Sequence, residues 1–565
     1  MLRQNTSCHD LGMTTLAYSL EPNQARPGDR LFRRRALGVW ILSAGVTLVL
    51  VLWDFGSHPV LAADSGRYIT LAQMLVGIRE MPHSPSGPWG YPFVLAPLVG
   101  MATTYPDILR LPSLVAILGS QALLFGGWPW LFGAAARWRY AVTVLFGLSP
   151  IVILQARLVL SDAVFLLWLL VLILLVEWGV TRSPPWWWWP ATALVAVFLI
   201  ATRTVGMVML AGIGLYWLYR RGRRGGPELI LLTGLMVVVI GLITALTPVR
   251  TADLIPRMYW QLASNLFAGK RLISGEQPEP YSAFVLRAWP QRLTRDIPAA
   301  IVPAFNSLYL DNLAAAWGLR GVVRLLGGLI TLVIGLGLER WRRQYGLSAL
   351  WAATIPYLGV LMVWDWSNRR FLLPVLVPLL YAFLLGLEAI ALGASRWSRG
   401  RVPVVWSHRL VSLITLGLAV LFIAMVIAYP DNRSFDQAQQ ARGAWLRQHT
   451  APEDVIMSAW SQADHLLTGR QVIHLPRLTA TSSPAHLAAM VAARKVRFVV
   501  IGPDYEIWQT DALTGRPRRV RVYRAETQLL VQRAQALVAA GKWQLVYEAA
   551  DGSFQAFAPR PSGEP

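Results

Sequence analysis

Cysteine, lysine and charged residues of every kind are scarce in this chain. The single cysteine, Cys8, excludes an intrachain disulfide and a cysteine zinc cluster. Lys270, Lys495 and Lys542 are the only lysines among 52 basic residues, so almost all the positive charge is arginine. Charged residues make up 15% of the 565, against ~25% in a soluble chain, which excludes an ordinary soluble enzyme. The net charge of +22 invites a nucleic-acid partner. The arginines, however, fall in short clusters beside apolar runs. That marks membrane orientation and not a groove that tracks phosphates, so no nucleic-acid partner is expected.

What is abundant is hydrophobicity: 55% of residues, with a mean hydropathy of +0.45. Runs long enough to cross a bilayer recur from Ala36 to Ala428, which predicts a polytopic α-helical membrane protein. About eleven spans are expected, each near the ~20 residues needed to cross: Ala36–Trp53, Leu109–Gly133, Trp138–Ile153, Leu158–Trp178, Trp187–Thr202, Thr204–Tyr219, Glu228–Thr247, Leu319–Leu338, Leu347–Trp364, Phe371–Leu392 and Leu410–Ala428. Arg33–Arg35 before the first span puts the N-terminus in the cytosol and Asp64 outside. Arg137, Arg139, Arg182, Arg220, Arg221, Arg340, Arg342, Arg343, Arg396 and Arg399 then fall on inner connections, so every even-numbered span ends in a basic patch. Trp187–Tyr219 is split at Arg203, because about 33 residues in one helix reach roughly 50 Å, too long for a ~30 Å hydrocarbon core. Trp186–Trp189 is read as an aromatic anchor at an inner boundary.

Domain organisation follows from these runs. Residues 1–35 are expected to be a disordered cytosolic tail. Residues 36–429 are expected to be the transmembrane domain, with outer loops at 54–108 and 248–318. The second loop mixes aromatic and basic segments suited to the interface. Beyond Tyr429 the apolar runs shorten. VIMSAW, QVIHL, VRFVVIG, WQLVYEA and SFQAFAP read as strands, and Ala438–Gln448, Pro484–Arg494 and Ala525–Ala540 as helices. Residues 430–565 thus form a small soluble α/β domain, placed outside by the odd span count.

The candidate chemistry lies where spans meet the outer side. Asp64, Arg67 and Tyr68 follow span one, in ADSGRYITLAQ. Tyr91 lies in the return segment GPWGYPFVLAPL, and Arg157 and Asp162 bracket the start of span four in LQARLVLSDAVF. Arg203 stands in ATRTVG, and Asp365, Asn368, Arg369 and Arg370 precede span ten in DWSNRRFLLPVL. Charge at membrane depth is costly and usually pairs or serves function. Several arginines suit a phosphate, and a carboxylate among them suits proton abstraction. Plainer readings exist for each: Asp64 as a helix cap, Arg157 and Asp162 as an ion pair closing a turn, Arg203 as a spacer between spans, Arg369 and Arg370 as headgroup anchors. His58 and His83 have no ligand spacing.

These segments resemble the GT-C glycosyltransferases, and more narrowly bacterial relatives of protein O-mannosyltransferases and the lipid A aminoarabinose transferase. The resemblance rests on Asp64-Ser65-Gly66-Arg67-Tyr68, then Gly87-Pro88-Trp89-Gly90-Tyr91-Pro92 with Trp89 in place of a proline. LSDAVF stands for a Ser-Glu-x-x-Phe element, ATRTVG for Thr-Arg-Pro-x-Gly, and NRRFLLP for Arg-Tyr/Phe-Leu-Leu-Pro, all in the same order. It implies a polyprenyl-phosphate sugar donor, inversion at the anomeric carbon, and a lipid, protein or glycan acceptor. It places the protein in a bacterial plasma membrane. Asp64 is then the base, with Arg67, Tyr68, Tyr91, Arg157, Asp162, Arg203, Arg369 and Arg370 binding substrate. Ser65 stands where relatives often carry a second acid, so no cofactor is assigned, although a divalent cation stays open. Two other readings stay open: a lipid or oligosaccharide transporter without bond chemistry, and a polymerase or ligase of polyprenyl-linked glycans.

Overall fold

A computed structural model describes residues 27–53, 64–78, 88–103, 106–132, 138–247, 281–302, 305, 319–363, 369–397, 404–428, 433–475, 482–503, 505–510, 517–522, 525–550 and 552–560. Cys8, His58, His83, Asp365 and Asn368 lie outside the described residues. The first helix, α1 (Pro27–Leu52), begins inside the segment expected to be a tail. Two short helices follow, α2 (Ser65–Leu75) and α3 (Gly90–Val99). Then come α4 (Leu111–Phe132), α5 (Arg139–Leu148), α6 (Pro150–Arg157), α7 (Asp162–Thr181), α8 (Trp188–Thr202), α9 (Gly206–Arg221) and α10 (Gly225–Leu246). After α11 (Tyr281–Gln291) the bundle resumes with α12 (Arg320–Tyr345), α13 (Ala349–Val363), α14 (Leu373–Trp397) and α15 (Val404–Ala428).

The span count departs from expectation. Among the described residues, six helices are long and apolar enough to cross, or seven if the pair α5–α6, bent by 50°, counts as one. Eleven spans are not confirmed, because Trp188–Thr202 and Ala349–Val363 are apolar but only 15 residues long. At 1.5 Å per residue such helices fall short of a ~30 Å core. The bend in α5–α6 sits at Pro150, which has no N–H to continue the ladder. The apolar run Gly206–Leu246 is not one rod. Gly222 takes φ +56°, and a Cβ on Gly225 would lie 3.2 Å from the Leu218 Cα. Seven residues in a straight helix are ~10 Å apart, so α9 and α10 fold back on each other. Trp217 Nε1 and Arg221 both donate to Glu228 across the turn, at 3.0 Å each.

α7 runs through the core, with α4 and α8 packed beside it, and most of its residues are buried. α12 and α14 cross closely, both running from the end that holds Arg370 toward the end where Arg340 meets Glu388. A Cβ on Gly337 would strike the Ala382 carbonyl, and one on Gly386 the Val333 carbonyl, so both positions need glycine. The Trp186–Trp189 run divides in two. Trp186 is exposed, whereas Trp188 is buried, stacks on Trp217 at 5.3 Å and donates its Nε1 to the Leu175 carbonyl at 2.9 Å.

Polar groups gather at the two ends of the bundle. At one end the buried Glu177 accepts from the Tyr216 hydroxyl (2.8 Å) and from the Ala349 amide (2.6 Å). At the same end Glu388 pairs with Arg340 at 3.2 Å. Asp162 lies fifteen residues before Glu177 on α7, about 22 Å along the axis. Helix ends that the arginine clusters place on opposite sides are therefore on opposite sides of the fold.

The C-terminal part begins with α16 (Arg433–His449). Five strands form one sheet: β1 (Val455–Ser458), β2 (Gln471–His474), β3 (Val496–Ile501), β6 (Trp543–Glu548) and β7 (Gln555–Pro559), in the order β2-β1-β3-β7-β6. They coincide with the five segments read as strands. β1 pairs in parallel with β2 and β3, while β7 is antiparallel to β3 and β6. Three elements were not anticipated: α17 (Ser461–Thr468) and the hairpin of β4 (Tyr505–Thr510) with β5 (Pro517–Val522). The helices α18 (Pro484–Ala493) and α19 (Ala525–Ala539) share a core with the sheet. α17 packs against α2, which sets this part over the candidate site.

Candidate active site

Asp64 directly precedes α2, yet its side chain makes no cap hydrogen bond. Its Oδ2 instead lies 2.8 Å from a terminal guanidinium nitrogen of Arg370. Arg370 belongs to the one-turn helix Arg369–Leu372 that leads into α14. The helix-cap and headgroup-anchor readings of these two residues therefore give way to an ion pair between segments 306 residues apart in sequence.

A second ion pair stands beside the first. Arg203 occupies the break between α8 and α9 in extended backbone, and it pairs with Asp162, the first residue of α7. Asp162 is almost fully buried, and the helix N-terminus adds to the stabilisation of its charge. The expected turn-closing pair of Arg157 with Asp162 is thus replaced by one that spans two helix junctions. Phe371 joins the two pairs: the Arg203 guanidinium lies 5.1 Å from its ring centroid and that of Arg370 5.2 Å. Tyr357 fixes the turn by donating its hydroxyl to the Phe371 carbonyl at 2.7 Å.

Tyrosines close the circuit on the α2 side. Tyr68 is one helical turn beyond Asp64, and its hydroxyl is 3.0 Å from the Ser161 Oγ, next to Asp162. Burial, reinforced by the Asp64 charge, pushes the Tyr68 phenol up, so it stays protonated at neutral pH. Tyr91 sets its ring edge-on to Tyr68 at 5.2 Å and holds the Ser113 hydroxyl at 3.1 Å. Ser113 in turn donates to the Leu160 carbonyl at 3.2 Å. Gly90 allows this approach, because a Cβ there would meet the Thr202 amide nitrogen at 2.5 Å. Asp64, Arg370, Phe371, Arg203, Asp162, Ser161 and Tyr68 form a closed ring of contacts at one end of the bundle.

Other expected site residues stand apart from it. Arg157 reaches back to α1 and donates to the Leu50 carbonyl at 2.5 Å. Arg67 is half-buried and makes no ion pair among the described residues. The side chain of Arg369 lies outside the described residues. Ser161, Ser113 and Phe371 were not anticipated. Ser161 and Phe371 stand in the LSDAVF and NRRFLLP elements, beside Asp162 and Arg370, but were not singled out there; Ser113 carried no signal. The ring does not fit a divalent cation, because each of its two carboxylates is engaged by an arginine. Among the described residues no group of three or more His, Cys, Asp or Glu side chains could hold a metal ion.

No protein-family model matches the sequence, and no curated protein gives a significant match. Solved structures do match. ArnT from Cupriavidus metallidurans bound to undecaprenyl phosphate aligns with a TM-score of 0.52 and 14% identity, covering 92% of this chain and 98% of that one. The oligosaccharyltransferase AglB from Archaeoglobus fulgidus, with an inhibitory peptide and a dolichol-phosphate, aligns with a TM-score of 0.54 and 12% identity, covering 95% of this chain and 75% of that one. Both have the GT-C architecture. This chain has the GT-C fold. Within that GT-C fold, the ring joins the start of α2, the start of α7, the α8–α9 break and the turn before α14. At 12–14% identity the likeness concerns the fold, and residue roles must come from the geometry.

Proposed function

We propose that this chain is a membrane glycosyltransferase that moves a sugar from a polyprenyl-phosphate donor to an acceptor at the outer face, inverting the anomeric carbon. The observation that carries the reading is the Asp64–Arg370 pair, 2.8 Å apart, inside a ring that holds a second arginine. The lipids named in the ArnT and AglB structures support a polyprenyl-phosphate donor. The arginine clusters fall at the bundle end opposite the ring. Under the positive-inside rule this supports a ring and C-terminal domain outside and an N-terminus in the cytosol; the bacterial plasma membrane is carried over from the sequence resemblance.

In the proposed reaction, Asp64 takes a proton from an acceptor hydroxyl or amine. The acceptor atom bonds to the anomeric carbon from the face opposite the phosphate, and the bond to the phosphate oxygen breaks. The leaving phosphate keeps the bonding electrons, and Arg370 and Arg203 meet its growing charge. Arg370 neutralises Asp64 in the resting site. A donor phosphate that engages Arg370 leaves the carboxylate available to the acceptor. Asp162 and Phe371 hold Arg203 in place, and Tyr68 fixes α2 against α7. No metal-dependent step is invoked. The acceptor is a lipid, a protein or a glycan, and the C-terminal domain, seated on α2, is in position to present it.

Reconstitution tests this reading. Proteoliposomes supplied with sugar-labelled polyprenyl-phosphate donor and an extract of envelope acceptors are expected to yield polyprenyl monophosphate and labelled acceptor in equal amounts. Movement of intact donor across the bilayer, with no monophosphate formed, means a transporter. Products of growing length mean a polymerase.

A further inference from the structure

A second polar feature lies outside the ring. A cavity of about 460 Å³ opens between α11, the turn that follows it and the start of α12. Four arginines line it, Arg287, Arg295, Arg320 and Arg324, together with Phe305 and Val323. No carboxylate among the described residues lines it. The nearby Asp296 is already paired with Arg292. Arg320 and Arg324 stand one turn apart on the same face of α12.

Its depth in the membrane follows from α12. Arg340, twenty residues beyond Arg320, pairs with Glu388 at the arginine-rich end of the bundle. Twenty residues of helix cover about 30 Å, so the cavity lies at the end that carries the ring. The surrounding surface is apolar and open: Leu286 is 70% exposed and Leu325 64%. That combination, a basic hollow beside lipid-facing leucines at the rim of the hydrocarbon, suits a ligand with an anionic head and a long apolar tail. The turn Pro298–Ala300, just beyond the cavity wall, packs against Arg369–Leu372, so the cavity neighbours the ring without sharing its residues.

We propose that this cavity binds the phosphomonoester headgroup of a membrane lipid. A monoester carries a charge of about −1.5 to −2 near neutral pH, and the planar guanidinium groups of Arg320 and Arg324 can take its oxygens in pairs. A phosphodiester offers one charge and fewer free oxygens, so it binds more weakly. The site rests on the membrane placement of the fold. Identifying its ligand with the carrier lipid left after transfer rests also on the proposed glycosyltransferase activity, in which the donor is a diester and the spent carrier a monoester. The cavity would then take the spent carrier as it leaves the ring.

Native mass spectrometry of the full chain released from phosphatidylcholine nanodiscs, titrated with a polyprenyl monophosphate, tests the site. The wild-type protein is expected to bind two of these lipids. Arg320→Gln with Arg324→Gln is expected to weaken one of them at least tenfold, about 1.4 kcal/mol, and to leave the other. Arg370→Gln is expected to spare the cavity lipid. Binding by the double variant equal to wild type overturns the proposal. In the wild-type protein itself, displacement of the cavity lipid by equimolar phosphatidylglycerol or inorganic phosphate also overturns it, since the first removes the preference for a monoester and the second the need for a lipid. Loss of the cavity lipid in the double variant, with no effect of Arg370→Gln on either lipid, supports the cavity and counts against the ring as a phosphate site.

Discussion

The pair Asp162–Arg203 separates a structural contribution from a chemical one. The Asp162 side chain is 2% exposed and that of Arg203 14%. Replacing Arg203 with Met leaves a carboxylate desolvated and unpaired, which costs about 3–5 kcal/mol in comparable buried pairs. Replacing Asp162 with Leu costs less, because Arg203 keeps the Phe371 ring 5.1 Å away and some access to water. The double replacement removes both charges and is expected to be near neutral for stability, so the coupling energy is at least the ~3–5 kcal/mol of the Arg203 replacement alone. Unfolding equilibria in SDS mixed micelles measure all four proteins. Transfer activity is expected to diverge from stability. The folded double variant should lose about 100-fold or more, as removal of a donor aimed at developing charge does elsewhere. Additive single costs would refute the pairing, and a double variant as active as the wild type would refute the role given to Arg203.

Two further outcomes follow from the same geometry. Tyr68→Phe leaves the buried Ser161 hydroxyl without its 3.0 Å partner and should cost about 1 kcal/mol of stability, with transfer reduced further as α2 loosens; unchanged SDS midpoints and rates would count against the circuit. Gly337→Leu should destabilise by about 1–3 kcal/mol or more, whereas Gly335→Leu, where a Cβ meets nothing within 4 Å, should be close to neutral in the same assay. Equal effects at the two positions would refute the close crossing of α12 and α14.

The ring was legible in part because the bilayer makes charge rare. Asp64, Asp162, Arg203 and Arg370 each interrupt or border an apolar run, and alternation of the runs placed them on one side. Partners were not legible. Which carboxylate meets which arginine depends on how helix junctions separated by up to 306 residues approach each other. Sequence proximity pointed to Arg157 for Asp162, and tertiary packing chose Arg203. Phe371 was legible as the aromatic position of NRRFLLP, but its contact with both guanidiniums came only from the structure. The span count of eleven is not confirmed by helix length, because hydropathy registers apolar character more readily than length, as Trp188–Thr202 and Ala349–Val363 illustrate. In the C-terminal part the five-stranded sheet was legible from period-two patterning. The eight-residue α17 was not, since two helical turns give too little periodicity to detect.

Sugar transfer by the Asp64→Asn variant in native membranes tests the central claim most directly. Asparagine keeps the shape of the side chain but cannot take a proton from the acceptor. If Asp64 is the base, transfer from polyprenyl-phosphate donor falls by about 100- to 10,000-fold while membrane insertion and the SDS unfolding midpoint hold. A correctly inserted Asp64→Asn protein that transfers sugar at the wild-type rate contradicts the account.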